Sequence, residues 1–158
     1  MYAPEFLNVT STDDANIIVR RHARAHAPRL LLSHGNGFAI EGYRKFWELL
    51  LPDFELCLFD QRNHGMNPVG SIETHSISAM GLDHVAVRAA IDTAYGPRTT
   101  IGLFHSVSSI AAIRAAQDSL LRWDALILYD PPLIAPPGNP LREMNKKLDE
   151  TLAAFALN

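Results

Sequence analysis

The feature that most restricts this chain is an alternation between two periods. Short apolar runs, RLLLS, FELCLF, TTIGLF and ALILY, are separated by stretches in which apolar residues recur every three or four positions. A continuous run of this length reads as a buried strand, and recurrence at three and four reads as one stripe of a helix. In the segment that begins at Ser76, the residues Ile77, Met80, His84, Val87, Ile91 and Ala94 draw such a stripe, and Gly96-Pro97 ends it. YRKFWELLL places Phe46, Trp47 and Leu50 at helical spacing ahead of Pro52, and SSIAAIRAAQDSLL supplies a third helix. Upstream, FLNVTS and NIIVRRHA flank the polar cluster STDDA and read as an antiparallel pair. Strand and helix in turn predict an α/β fold, a mostly parallel sheet with helices on both faces. Functional groups in such a sheet collect at the carboxyl ends of the strands.

With 158 residues, 47% of them hydrophobic, the chain can bury a core in one globular unit. The net charge is −3 and the basic residues are scattered, so no nucleic-acid partner is expected; RRHAR, from Arg20 to Arg24, reads as a solvated strand end. Cys57, the sole cysteine, sits inside FELCLFD and reads as a packing residue rather than a disulfide or a reactive thiol. No apolar run reaches the roughly 18 residues that span a bilayer, and MYAPEFLNVT lacks a basic segment leading into an apolar one. The chain therefore reads as soluble and cytoplasmic, without a membrane span. None of the seven histidines stands in HxH or HExxH spacing, so no metal is expected. After Asp130 the texture changes. PPLIAPPGNP cannot be regular helix or sheet, because each proline removes a donor and fixes φ. Beyond it, Leu141, Met144, Leu148, Leu152 and Phe155 draw a last amphipathic stripe. The sequence thus divides into a core, 1–130, and a connector with the start of a further helix, 131–158.

Three of the strand ends carry unusual polar residues. In SHGNGF, Gly35 and Gly37 let the backbone turn steeply and approach a ligand, and N–H groups fixed in such a turn can stabilise an oxyanion. An ordinary strand-to-helix turn is the other reading; a dinucleotide fingerprint fails because Ile40 stands where its third glycine is due. In DQRNHG, Asp60, Arg62 and His64 end a buried strand and need partners, which suggests a brace beneath a site. At IGLFHSVSSIAAIRAA a strand passes into a helix with no loop between them. Ser106, at that seam, is either a helix cap or a nucleophile held out by a sharp turn.

SHGNGF, DQRNHG and HSVSS, in that order, resemble the α/β-hydrolase family over about Phe6 to Asp130. The resemblance implies a serine hydrolase that acts on an ester or similar small carbonyl substrate through an acyl-enzyme, with no cofactor. Ser106 would attack, and the N–H groups of Asn36 and Val107 would hold the oxyanion. Asp130 is one candidate for the acid that orients a histidine. His34, Gly35, Gly37, Asp60, Arg62, His64 and His105 would be structural neighbours of the site. Two positions depart from the family pattern: Phe104 stands where the elbow G-x-S-x-G has a small residue, and Asn63 replaces the first glycine of D-x-R-G-x-G. All seven histidines precede Ser106, whereas the family's catalytic histidine follows it. The 158 residues are therefore expected to be part of a longer hydrolase and inactive alone. An open sheet edge would then be covered by a C-terminal segment or by self-association, and the last stripe would begin a lid over an apolar pocket. The alternative is a non-catalytic module of the same fold that binds a ligand or a partner.

Overall fold

Six strands form one sheet: β1 (Glu5–Thr10), β2 (Asn16–His22), β3 (Arg29–Ser33), β4 (Glu55–Phe59), β5 (Thr100–His105) and β6 (Ala125–Tyr129). The computed structural model describes residues 3–118 and 120–132. The stripe from Leu141 to Phe155 and nearly all of the expected 131–158 segment lie outside them. The spatial order is β1-β2-β4-β3-β5-β6, with β1 and β2 antiparallel to their neighbours and the other four parallel. Parallel neighbours need crossovers. These are α1 (Arg44–Trp47), extended by single 3-10 turns at Ile40–Tyr43 and Glu48–Leu50, then α2 (Ile77–Tyr95) and α3 (Val107–Gln117). The chain leaves β3 in one direction to reach β4, then passes back across β3 to reach β5 on its other side. This reversal sets the carboxyl ends of β3 and β5 side by side, and such a switch point is where open α/β sheets hold ligands.

The strand period of two sorts the apolar side chains into two layers. Leu30, Leu32, Leu56 and Leu58 pack with Ile40 and Trp47 on one face. Leu31, Cys57, Phe59 and Phe104 pack on the other with Val87 and Ile91 of α2 and Ala112 of α3. Burial pushes the Cys57 thiol up to about 12. Iodoacetamide at neutral pH should therefore leave the folded chain unlabelled and modify Cys57 only after urea is added, which an intact-mass measurement reads directly.

Several sequence expectations need correction. YRKFWELLL is not one amphipathic helix: only four residues are α-helical, Trp47 is buried, and Phe46 is exposed. The flanking 3-10 turns advance 120° per residue rather than 100°, which breaks the expected stripe. Trp47 holds its own place, donating its Nε1–H to the Ile40 carbonyl at 3.1 Å. Ala94, the last residue of the α2 stripe, is exposed, and α3 ends at Gln117 rather than continuing to Leu121. Arg20 and Arg21 are not a solvated strand end. Arg21 lies 2.5 Å from Glu55 and 2.7 Å from Glu5, and Arg20 pairs with Glu41 at 2.8 Å while crossing the Trp47 ring. Fully buried Arg29 completes this network at the amino ends of the strands, bonding Glu55 and Asp92, each at 2.7 Å. On the α1 face, β5 and β6 leave an apolar groove of about 480 Å³ lined by Leu32, Tyr43, Phe46, Leu103, Ile127 and Tyr129.

Candidate active site

The two serines that open helices differ at their backbones. Ser76, which starts α2, is an ordinary cap: its backbone is extended, at φ −125° and ψ 158°, and its Oγ accepts the Ala79 N–H at 3.2 Å. Ser106 starts α3 differently. It sits at φ 55° and ψ −123°, and its side chain accepts no capping bond. Positive φ costs a non-glycine residue about 1–3 kcal/mol and persists only where the surroundings enforce it. Here the Ser106 N–H donates to the Tyr129 carbonyl of β6 at 2.9 Å, and its carbonyl accepts the Ser109 N–H at 2.9 Å. The hydroxyl makes no hydrogen bond among the described residues. Ser109 turns its own Oγ back to the Phe104 carbonyl at 2.7 Å. Ser108 is buried, with its hydroxyl unpartnered rather than bonded to the backbone.

Phe104, two residues before the serine, finds room because Gly102 precedes it on the same face of β5. A Cβ on Gly102 would lie 2.6 Å from the Phe104 ring. That ring stacks on His84 of α2 at 4.5 Å and meets Trp123 edge-on at 5.3 Å. The volume that the elbow needs to be small is thus supplied one strand period upstream. The slender start of α3, with Ala111 and Ala112 fully buried, completes the close crossing.

The loop after β3 lies directly against this elbow. A Cβ on Gly35 would stand 2.8 Å from His105 Nδ1 and 3.1 Å from the Ser106 Cβ, so only glycine fits. Residues 35–38 form a turn in which Phe38 N–H donates to the Gly35 carbonyl at 3.3 Å. Gly37 sits at φ 77°, as the third position of a type II turn demands. Asn36 occupies the exposed second position, and its N–H is not engaged by any described residue. The N–H of Val107, first residue of α3, is likewise free, as the first turn of any helix leaves it. His105 points away from the Phe104 face, its Nδ1 2.5 Å from the Tyr43 hydroxyl.

Below the loop, fully buried His34 donates from Nδ1 to the Gly35 carbonyl at 2.8 Å and accepts the Gln61 N–H at Nε2 at 3.1 Å. Asp60 accepts the N–H groups of Ile40 at 2.7 Å and Met66 at 3.1 Å. Burial would push its carboxyl up, but hydrogen bonds to its charged form, the Ile40 and Met66 amides among them, hold it below the ordinary range. Arg62 does not pair with Asp60. It reaches Asp83 of α2 at 2.6 Å and Asp13 at 2.6 Å, bracing the turn to a helix and to the β1–β2 connection. Asn63 replaces the family glycine without strain of a new kind: φ is 63°, a region asparagine tolerates, and its Oδ1 accepts the Gly70 N–H at 2.6 Å. Asp130 follows Tyr129 at the end of β6, one residue past the His105–Tyr129 register pair. It is exposed, at φ 47°. The sequence reading does not single out Tyr43, Asp83 or Asn67, whose Nδ2 donates to the Asp60 and Gln61 carbonyls at 2.6 and 2.9 Å. Of these only Asp83, a carboxylate next to the stripe residue His84, carried a signal.

No family model matches this chain, and no curated protein matches it. Solved structures do. An N-formylmaleamic acid deformylase from Pseudomonas putida superposes at TM-score 0.70 with 25% identity, over 86% of this chain and 50% of that one. An esterase from Pyrococcus furiosus gives TM-score 0.72 at 17% identity, over 84% and 51%. A protein from Burkholderia ambifaria described as an α/β-hydrolase fold protein gives 0.69 at 18%, over 98% and 58%. This chain has the α/β-hydrolase fold. It spans about half the length of the solved structures it matches. In the α/β-hydrolase fold found here, the His34–Phe38 turn, the Ser106 elbow and Asp130 stand at the same edge of the sheet. Among the described residues no histidine bonds the Ser106 hydroxyl, and no helix is long and apolar enough to cross a membrane.

Proposed function

We propose that this chain supplies the nucleophile and the oxyanion site of a serine hydrolase acting on an ester or similar small carbonyl compound. The observation that carries the reading is the backbone of Ser106: a strained, non-capping serine whose hydroxyl is free, beside two unengaged N–H groups. The solved structures that share the fold include one named an esterase and one named a deformylase. Ser106 Oγ would add to the substrate carbonyl carbon as its proton passes to a base, and the displaced electron pair would settle on the carbonyl oxygen. The N–H groups of Asn36 and Val107, the latter at the positive end of α3, would receive that charge. Collapse breaks the bond to the leaving group, which takes up the proton, and water then frees the acyl group from Ser106 by the same route. Asp130 is the candidate acid for orienting the base.

Among the described residues no base bonds the Ser106 hydroxyl, and every histidine in the sequence precedes it. The test therefore supplies one. In this reaction an alkyl fluorophosphonate forms an O–P bond to the serine, fluoride leaves, and imidazole in the buffer takes the proton. The expected result is a covalent adduct that peptide mapping places on Ser106, formed in imidazole buffer and much slower without it. That no described residue places a base in bonding distance of Ser106 favours the second reading, a non-catalytic binding module. Absence of an adduct in imidazole, or one on Ser108 or Ser109, would decide for that reading or move the site.

A further inference from the structure

The turn that carries Asn36 is held by side chains from two other parts of the chain, each taking one N–H on either side of it. The Gly37 N–H donates to His64 Nε2 at 3.2 Å, and the Gly35 N–H donates to the Tyr43 hydroxyl at 3.3 Å. His64 is set up as an acceptor by its other nitrogen: Nδ1 lies 2.9 Å from the Arg62 carbonyl, which can only accept, so the ring proton sits there and the Nε2 lone pair faces Gly37. Arg62 is in turn anchored to Asp83 and Asp13. Tyr43 is fixed by its contact with His105 Nδ1, immediately before Ser106. The result is selective. Of three consecutive N–H groups in Gly35-Asn36-Gly37, the outer two are occupied and the middle one has no acceptor among the described residues.

We infer that His64 and Tyr43 are positioning residues of the oxyanion turn: by occupying the N–H groups of Gly35 and Gly37 they fix which way the Asn36 N–H points. This rests on the proposed role of Asn36, but the hydrogen bonds can be tested apart from it. Gly35 is packed against the elbow, but the Gly37 side of the turn is open, since a Cβ added at Gly37 would meet nothing within 4 Å, and there the His64 bond has no packing to replace it. Gly35 gives close approach to the elbow and Gly37 supplies the positive φ of the turn, and the histidine and tyrosine restore the rigidity that glycine removes.

The experiment uses the 158-residue chain with two readouts: amide hydrogen exchange of Gly35 and Gly37 by NMR, and imidazole-supported phosphonylation of Ser106. His64→Leu should speed Gly37 exchange and slow phosphonylation, each about tenfold, the scale of one lost hydrogen bond. His64→Gln, whose Oε1 can accept the same N–H, should recover most of both. Tyr43→Phe should speed exchange at Gly35. Unchanged Gly37 exchange in His64→Leu, or a glutamine variant as impaired as the leucine one, overturns the inference. So does faster exchange with an undiminished phosphonylation rate. If the parent chain forms no adduct, the nucleophile reading fails on its own, and the exchange data still decide whether these side chains hold the turn.

Discussion

A His84→Leu variant should lose an acid sensitivity that the parent chain shows between about pH 6.5 and pH 3. His84 is completely buried against Phe104 and Phe59, neither ring nitrogen has a partner, and burial lowers its pKa from 6.5 to about 3. Below pH 6.5 the unfolded chain takes up a proton that the folded chain refuses, so stability falls as pH drops through this window and levels off near the folded value. At about 1.4 kcal/mol per pH unit, the loss is on the order of 3 kcal/mol by about pH 4.5 and approaches about 5 kcal/mol at the lower limit. Leucine fills a similar volume and cannot charge. The carboxylates titrate in both proteins and cancel in the comparison. Urea unfolding at pH 7.5 and 4.5 gives the difference; parallel pH curves for parent and variant would show that the imidazole finds a partner in solution.

Asn36→Pro should slow imidazole-supported phosphonylation of Ser106 by about 10²–10³, or roughly 2.7–4 kcal/mol, the cost of one oxyanion donor. Proline removes the N–H while suiting the second position of a type II turn, where a φ near −65° is required, so the fold should survive. Asn36→Ala keeps the N–H and should react at close to the parent rate, because the Asn36 side chain is exposed and bonds no described residue. If proline and alanine variants react alike, the developing charge is held elsewhere, and Asn36 has no part in it.

Strand and helix order was legible because it depends on period, and period is local. β3, β4 and β5 lie where their apolar runs lie, and the free-standing signals of SHGNGF and HSVSS meet at one edge because the crossovers bring them there. What was not legible depends on partners distant in sequence. Arg20 and Arg21 looked solvated because Glu5, Glu41 and Glu55 are 16 to 34 residues away. Phe104 looked too large for the elbow because its room is provided by Gly102 together with His84 on another element. Tyr43 sat in a segment read as a plain amphipathic helix, and nothing in YRKFWELLL shows that its hydroxyl bridges Gly35 and His105. Asp130 follows β6, but an exposed carboxylate without a described partner looks the same whether it orients a base or only ends a strand.

The bond from the Ser106 N–H to the Tyr129 carbonyl ties a strained backbone to a strand at the margin of the described sheet. Among the described residues β6 has a neighbour on one side only, so the clamp on the serine is no firmer than the pairing of an edge. Should β6 peel away, Ser106 would be free to relax to ordinary extended dihedrals and withdraw its hydroxyl into a common capping pose, as Ser76 does on α2. The serine would then be disarmed with every side chain intact. For the proposed reaction, readiness would in this sense be a mechanical property of the sheet margin: whatever stiffens or frays that margin would set the fraction of molecules in which Ser106 holds its strained pose.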